Sequence, residues 1–338
     1  HEELDIINFT GGEPTLHPQL PEFLEMCRDA GIRRLTISTN GLKLLDEEYV
    51  RRLAALDARI VLSLDTFRPE TDLKLLGANT VKSKLKVLEL LAKHDVVTTI
   101  LPAVAAGLND DEVGPLFDLV MKTRNICSLE LHTLTFTGQG GVGFDRSARI
   151  SIPDLHRRLE QATQGRIQWR DFVPSPLAHP HCYSICYILT LDGGGYVPFA
   201  RFCSRAKLYE LLADSLYIEP REKLEELFRD LIDELWANPE KLSESEDVLA
   251  TLKRLLADMF PRDRALGIAE RQRIAERCVK AIYIHSHMDE ENLTARSFTP
   301  SRRGCARSAG RSWTGRAWCA AARSTCASSV RCTASRRR

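Results

Sequence analysis

Three stretches of this sequence carry residue types that do chemistry. The first is Gly11-Gly12-Glu13-Pro14, which follows the apolar run Ile6-Ile7-Asn8-Phe9-Thr10. Paired glycines at a strand end let a ligand approach the backbone amides and carbonyls, and the glutamate adds a fixed negative charge beside them. That combination suits a primary amine. An ordinary strand-to-helix turn, with Pro14 near the helix start, is the other reading of the same residues.

The second stretch is Cys182-Tyr183-Ser184-Ile185-Cys186, with Cys203 following a glycine-rich turn. Thiols four residues apart converge if the stretch forms one turn of helix. Three gathered thiolates suit an iron–sulfur cluster or a zinc ion, each of which needs about four soft ligands. Cys278 leads as the fourth ligand, His181 follows, and a cysteine outside this body is the third option. Buried structural thiols are the alternative, and a disulfide is disfavoured in a cytosolic chain.

The third stretch, His285-Ser286-His287-Met288-Asp289, would put His285, His287 and Asp289 on one face of an extended strand. Polar strand-end groups are preferred there to metal ligands. Gly138-Gln139-Gly140-Gly141-Val142-Gly143 lacks the Lys-Ser/Thr ending of a phosphate loop, so a mobile loop near a substrate rim is preferred.

The elements that must position these groups alternate between short β-rich runs and helical patterns. Strands are predicted at Ile6–Thr10, Leu35–Thr39, Ile60–Leu64, Val96–Val104 and Ser128–Thr135. Helices are predicted around Leu20 to Ala30, through Leu44, Leu45, Tyr49, Leu53 and Leu56, around Val81 to Lys93, and from Asp111 to Thr123. Repeated βα units of about thirty residues close toward a barrel, with a doubly wound sheet as the competitor. In both, the carboxyl ends of the strands face the ligand, and here they carry Thr10 to Glu13, Ser38 to Gly41, Ser63 to Asp65 and His132. Beyond residue 165, Asp192-Gly193-Gly194-Gly195 predicts a hairpin turn, and Lys207 to Arg277 reads as mostly helical. Leu224, Leu227, Phe228, Leu231 and Leu235 line one face of a packing helix.

Asn8 to Pro18, Thr36-Ile37-Ser38-Thr39-Asn40-Gly41 and Ser63-Leu64-Asp65 together resemble the radical S-adenosylmethionine (SAM) superfamily at successive strand ends, over about residues 6–165. The resemblance implies an α/β fold, a partial (βα)6 radical SAM barrel with a cysteine-containing accessory region and C-terminal helices. It implies that Gly11, Gly12 and Glu13 border the methionyl amino group of SAM, and that Ser38, Thr39, Asn40, Ser63 and Asp65 lie around the rest of the cofactor. Leu108-Asn109-Asp110 is similar to a further family turn, with a helix N-cap by Asn109 or Asp110 as the alternative. In such enzymes an electron from a reduced [4Fe-4S] cluster cleaves SAM to a 5′-deoxyadenosyl radical, with a reductant such as flavodoxin or ferredoxin.

The family holds that cluster through Cys-x3-Cys-x2-Cys just upstream of the Gly-Gly-Glu-Pro strand, and this sequence contains no such motif. The expectation is an amino-terminal truncation and a chain inactive in SAM cleavage as it stands. Ile100 to Val104, His132 to Gly138, Ile150 to Leu155 and Asp171 to Pro174 resemble the branch containing tetraether lipid synthase and dihydropterin methyltransferase-like proteins. That branch implies C–C bond formation or methylation on a lipid or pterin-like substrate, and an auxiliary [4Fe-4S] cluster, for which Cys182, Cys186, Cys203 and Cys278 are the metal-ligand candidates. A non-catalytic iron–sulfur or zinc-binding scaffold and a cluster-free βα-barrel enzyme are the competing functions.

Composition limits the classes further. The chain is 338 residues, 43% hydrophobic and 28% charged, which describes a globular protein, and no run reaches the length of a membrane span. Its net charge of +1 hides a split, because residues 296–338 hold eleven Arg and no acid while the rest is acidic. Those last 43 residues also lack Leu, Ile and Lys and hold four of the ten Cys, which reads as a frameshifted, disordered tail rather than a nucleic-acid arm. Cys305, Cys319, Cys326 and Cys332 are therefore set aside as ligands. The expected organisation is a partial barrel at 1–165, a cysteine-bearing region at 166–210, a helical segment at 211–295 and the tail at 296–338. A cytoplasmic location is expected, with no nucleic-acid partner.

Overall fold

β-branched runs and amphipathic helices alternate along the chain, and in the computed structural model, which describes residues 6–136, 143–178, 182–213 and 217–286, the runs become parallel strands. They are β1 (Ile6–Phe9), β2 (Arg34–Thr39), β3 (Arg59–Ser63), β4 (Thr98–Leu101), the two-residue β5 (Ala103–Val104) and β6 (Ile126–Thr133). Pro102 splits the long strand expected at Val96–Val104, because proline has no amide for the ladder. Helices α1 (Leu20–Asp29), α2 (Glu47–Ala55), α3 (Pro69–Leu76), α4 (Val81–Lys93), α5 (Val113–Lys122) and α6 (Ile152–Ala162) follow the strands. The helix expected through Leu44 to Leu56 is broken. Leu42–Leu45 forms a tighter turn, and α2 begins after Asp46, whose carboxylate accepts from the Tyr49 amide at 3.3 Å.

β7 (Val173–Pro174), β8 (Tyr183–Thr190) and β9 (Tyr196–Pro198) extend the sheet in antiparallel sense. The glycine turn joins β8 to β9 as expected, with Gly194 and Gly195 at φ of +93° and +86°. Helices α7 (Arg205–Leu211), α8 (Glu222–Ala237), α9 (Ser245–Met259) and α10 (Ile268–Cys278) then lead into β10 (Val279–His285). β10 inserts between β6, to which it is parallel, and β8, to which it is antiparallel. The sheet order is β1-β2-β3-β4-β6-β10-β8-β7, with six parallel strands forming the partial barrel.

Pleating divides the sheet into two chemically different faces. Ile37, Ile60, Leu62, Ile100, Leu129 and Ile282 point to one core, packed against α1, α2, α4, α5 and α6. The opposite face is polar along β1 to β6, where Ser38 donates to Asn8 Oδ1 at 3.2 Å and Thr99 and Ser128 share a 2.7 Å hydrogen bond. Toward β8 and the start of β10 this face is covered by a second core built on α7 to α10. At the amino ends of the strands Glu276 of α10 joins Arg59 at 2.9 Å and Arg34 at 3.2 Å, closing that end with charge and leaving the carboxyl end for a ligand.

Candidate functional site

At the carboxyl ends of β1 and β2, Glu13 is fixed by four hydrogen bonds. Its Oε1 accepts from the Thr15 amide (3.1 Å), the Thr15 hydroxyl (2.6 Å) and the Thr39 hydroxyl (2.6 Å), and its Oε2 accepts from the Asn40 amide (2.7 Å). Burial works to raise the carboxyl's pKa, but these donors outweigh it and hold it below the usual carboxylate range. Glu13 is therefore an ionised clamp between two strand ends.

The clamp sets the preceding glycines. Gly11 lies at φ +131°, and a Cβ on either Gly11 or Gly12 would meet nothing within 4 Å, so the peptide edges are open. Thr39 is buried, and its hydroxyl also accepts from the Gly41 amide at 3.0 Å. Asn40 is exposed and uses Oδ1 on the Leu42 amide at 2.9 Å, which keeps its side-chain NH2 for other partners. Ser38 and Ser63 are half-buried on the polar face, Ser38 on the strand next to that of Asn8 and Ser63 one strand further.

Asp65 is 5% exposed and serves as a clasp rather than an open ligand. Its Oδ1 accepts from the Ala103 amide at 2.7 Å, and its backbone carbonyl accepts from Asn109 Nδ2 at 2.7 Å. Asn109 is fully buried and also bonds Ala103 O and the Ala105 amide, so it staples the ends of β3 and β5. Asn109 also occupies the N-cap position of the short 3-10 turn Asp110–Glu112, in line with the N-cap alternative, though without a side-chain capping bond, and Asp110 accepts from the Gly107 amide. Burial pushes the Asp65 carboxyl up, with the positive charge of Lys84 opposing that shift. Lys84 escaped the sequence reading. It is 1% exposed, its Nζ has no hydrogen-bond partner, and its signal was a lysine inside the apolar stripe of α4.

The thiols do not form one ligand set. The stretch expected as a helical turn is β8, whose residues alternate into both cores, so Cys182 and Cys186 lie about 13 Å apart along an extended chain. Cys186 packs in the first core and Cys203 in the second, while Cys278 ends α10 with its Sγ accepting from Arg254 at 3.3 Å. Burial raises the thiol pKa of Cys182, pushes that of Cys203 up to about 12 and lifts that of Cys186 well above its ordinary value. Cys182, Cys186, Cys203 and Cys278, expected as one metal set, are thus not gathered among the described residues, because β-branched and aromatic neighbours favour a strand over a helical turn at Tyr183–Thr190. His181, His287, Asp289 and residues 138–142 of the glycine loop lie outside the described residues.

Among the described residues one group of metal-ligating side chains does converge, Glu130, His132 and His285, at the carboxyl ends of β6 and β10. His132 was expected on this rim; Glu130 was missed, although Glu-x-His on a strand puts both side chains on one face.

Residues 1–120 match the family model of the Radical SAM superfamily. The chain is 28% identical over 244 residues to the 7,8-dihydro-6-hydroxymethylpterin dimethyltransferase of Methanocaldococcus jannaschii, covering 65% of this chain and 47% of that protein. It is 31% identical over 166 residues to the GTP 3′,8-cyclase of Chlorobaculum tepidum, covering 46% and 49%. The chain thus spans about half the length of the curated relatives it matches. Among solved structures, a domain of the pyruvate-formate lyase-activating enzyme from Bacteroides vulgatus aligns with a TM-score of 0.38 at 18% identity, over 48% of this chain and 95% of that one. The similarity to the radical SAM superfamily thus lies in the first 120 residues of this chain.

Proposed function

We propose that this chain binds SAM along the carboxyl rim of β1 to β3 and presents a small ring substrate of the reduced-pterin class to it from the polar face of the sheet. One observation carries the reading: Glu13, anchored by four hydrogen bonds to Thr15, Thr39 and Asn40, follows the open Gly11-Gly12 peptides at the adjoining ends of β1 and β2. An amino-acid moiety fits such a cradle, because its ammonium takes backbone carbonyls and the adjacent carboxylate. A [4Fe-4S] cluster does not fit the residues present, since the sequence lacks Cys-x3-Cys-x2-Cys and the described cysteines do not converge. Bound SAM supplies a sulfonium centre whose attached carbons are activated for transfer. Glu13 orients its amino end, Asn40 and Ser38 offer polar groups to the nucleoside, and Asp65 with Asn109 keeps the β3 and β5 ends at fixed spacing.

The pterin class is favoured over a lipid because the similarity to the dihydropterin dimethyltransferase spans 244 residues, twice the stretch matched by the family model. Equilibrium dialysis with radiolabelled SAM tests the binding claim. Gly12→Trp should fold normally and lose SAM by at least about tenfold, a change of about 1.4 kcal/mol. Equal retention by both proteins would overturn the assignment. Dialysis of a reduced hydroxymethylpterin against the SAM-loaded chain tests the substrate class.

A further inference from the structure

We propose that Glu130, His132 and His285 form a binding site for one divalent metal ion of the zinc or ferrous class, distinct from the SAM rim and from any cysteine site. The register makes the site. His132 of β6 and His285 of β10 are direct partners in a parallel pair, and Glu130 stands two residues before His132 on the same face. The donor atoms all lie within 4.8 Å of one another, with His132 Nε2 and Glu130 Oε1 at 3.0 Å. Nitrogen and oxygen ligands about 2.0–2.2 Å from an ion are separated from each other by roughly 3–3.5 Å, so side-chain rotation alone completes the contraction.

The donor set names the ion class. Two imidazoles and one carboxylate, with no thiolate, suit zinc or ferrous iron and leave coordination positions open to water or substrate. The ligands are held before the ion arrives. The His285 ring packs at 5.0 Å against His132 and at 4.9 Å against Tyr183, its partner across the antiparallel pair with β8. His132 and Glu130 keep 20% and 22% of their side-chain surface exposed, enough for an ion to enter. An ion would replace the hydrogen bond between His132 Nε2 and Glu130 Oε1, with the imidazole proton on Nδ1 and the Nε2 lone pair turned to the ion. The site uses none of the residues of the SAM reading, so either assignment stands without the other.

Cobalt(II) added to the chelator-treated full chain under anaerobic conditions tests the proposal. One equivalent should give visible ligand-field absorption without a sulfur-to-cobalt charge-transfer band, and zinc should displace it. His132→Ala and Glu130→Gln should each weaken binding by about tenfold or more while the far-ultraviolet circular dichroism stays unchanged. Cys182→Ser should bind normally. Glu130→Gln preserves the size of the side chain and carries the test if the alanine variant fails to fold. No binding, a thiolate charge-transfer band, or equal affinity in Glu130→Gln would overturn the site.

Discussion

Glu13 and Asn40 are tied by a 2.7 Å hydrogen bond from the Asn40 amide to Oε2, across the ends of two adjacent parallel strands. The same carboxylate holds Thr15 and Thr39, so the loop after β1 and the turn after β2 move as one unit. Glu13→Ala should cost about 1–3 kcal/mol, because several donors lose an ionised acceptor, and should abolish SAM retention. Since the folded carboxyl titrates below its ordinary value, its contribution is complete above the unfolded pKa and lost as pH falls through the folded one. Chemical denaturation at pH 7 and pH 4 should therefore bring wild type and Glu13→Ala closer together at the lower pH.

Gly41 and Gly12 should respond oppositely to the same substitution. Gly41 lies at φ +83°, and an added Cβ would come within 2.5 Å of Leu62 Cδ1, which is itself fully buried. Gly41→Ala should lose about 1–3 kcal/mol from strain and overpacking. Gly12→Ala meets open space and should leave the melting temperature unchanged.

The charged closure at the amino ends of the strands is structural. Glu276 pairs with Arg59 and Arg34, and the side chains of Arg59 and Glu276 are only 6% and 9% exposed. Removing one partner leaves buried charge without compensation, so Glu276→Ala should destabilise the fold by about 3–5 kcal/mol. Urea denaturation followed by tyrosine fluorescence measures it, and a loss under 1 kcal/mol would show a solvent-like pair.

His156 should make the fold acid-sensitive. Its ring packs 4.3 Å from Phe172 and its Nε2 contacts the Ser184 hydroxyl at 3.1 Å, and burial brings its pKa down to about 4. A base depressed on folding contributes fully above its unfolded pKa, about 6.5, and loses that contribution as pH falls toward 4. The loss should be on the order of 3 kcal/mol at most. Melting temperature followed from pH 7 to 4.5 should fall less steeply in His156→Gln than in wild type.

Local chemistry was legible where a short stretch fixes its own geometry. The alternation of Leu35, Ile37 and Thr39 marked β2, and the spacing of Leu224, Leu227, Leu231 and Leu235 marked α8. The Cys182 to Cys186 stretch misled because a four-residue spacing fits one helical turn, whereas its aromatic and branched side chains fill a strand buried on both faces. Lys84 and Glu130 went unseen as site residues because charge on an apolar stripe or on a strand gains meaning only from what faces it.

The sequence alone determined the βα alternation, the glycine cradle and the acid beside it, since turns and periodic burial depend on neighbours within a few residues. Tertiary structure alone decided that β10, some 150 residues downstream in the chain, lies between β6 and β8. Lys280 on that strand donates to the carbonyls of Val120, Thr123 and Ile126, and His285 comes to rest against His132. Strand pairing is a long-range choice set by hydrogen-bond completion and burial of both faces, and those exist only once the sheet has formed.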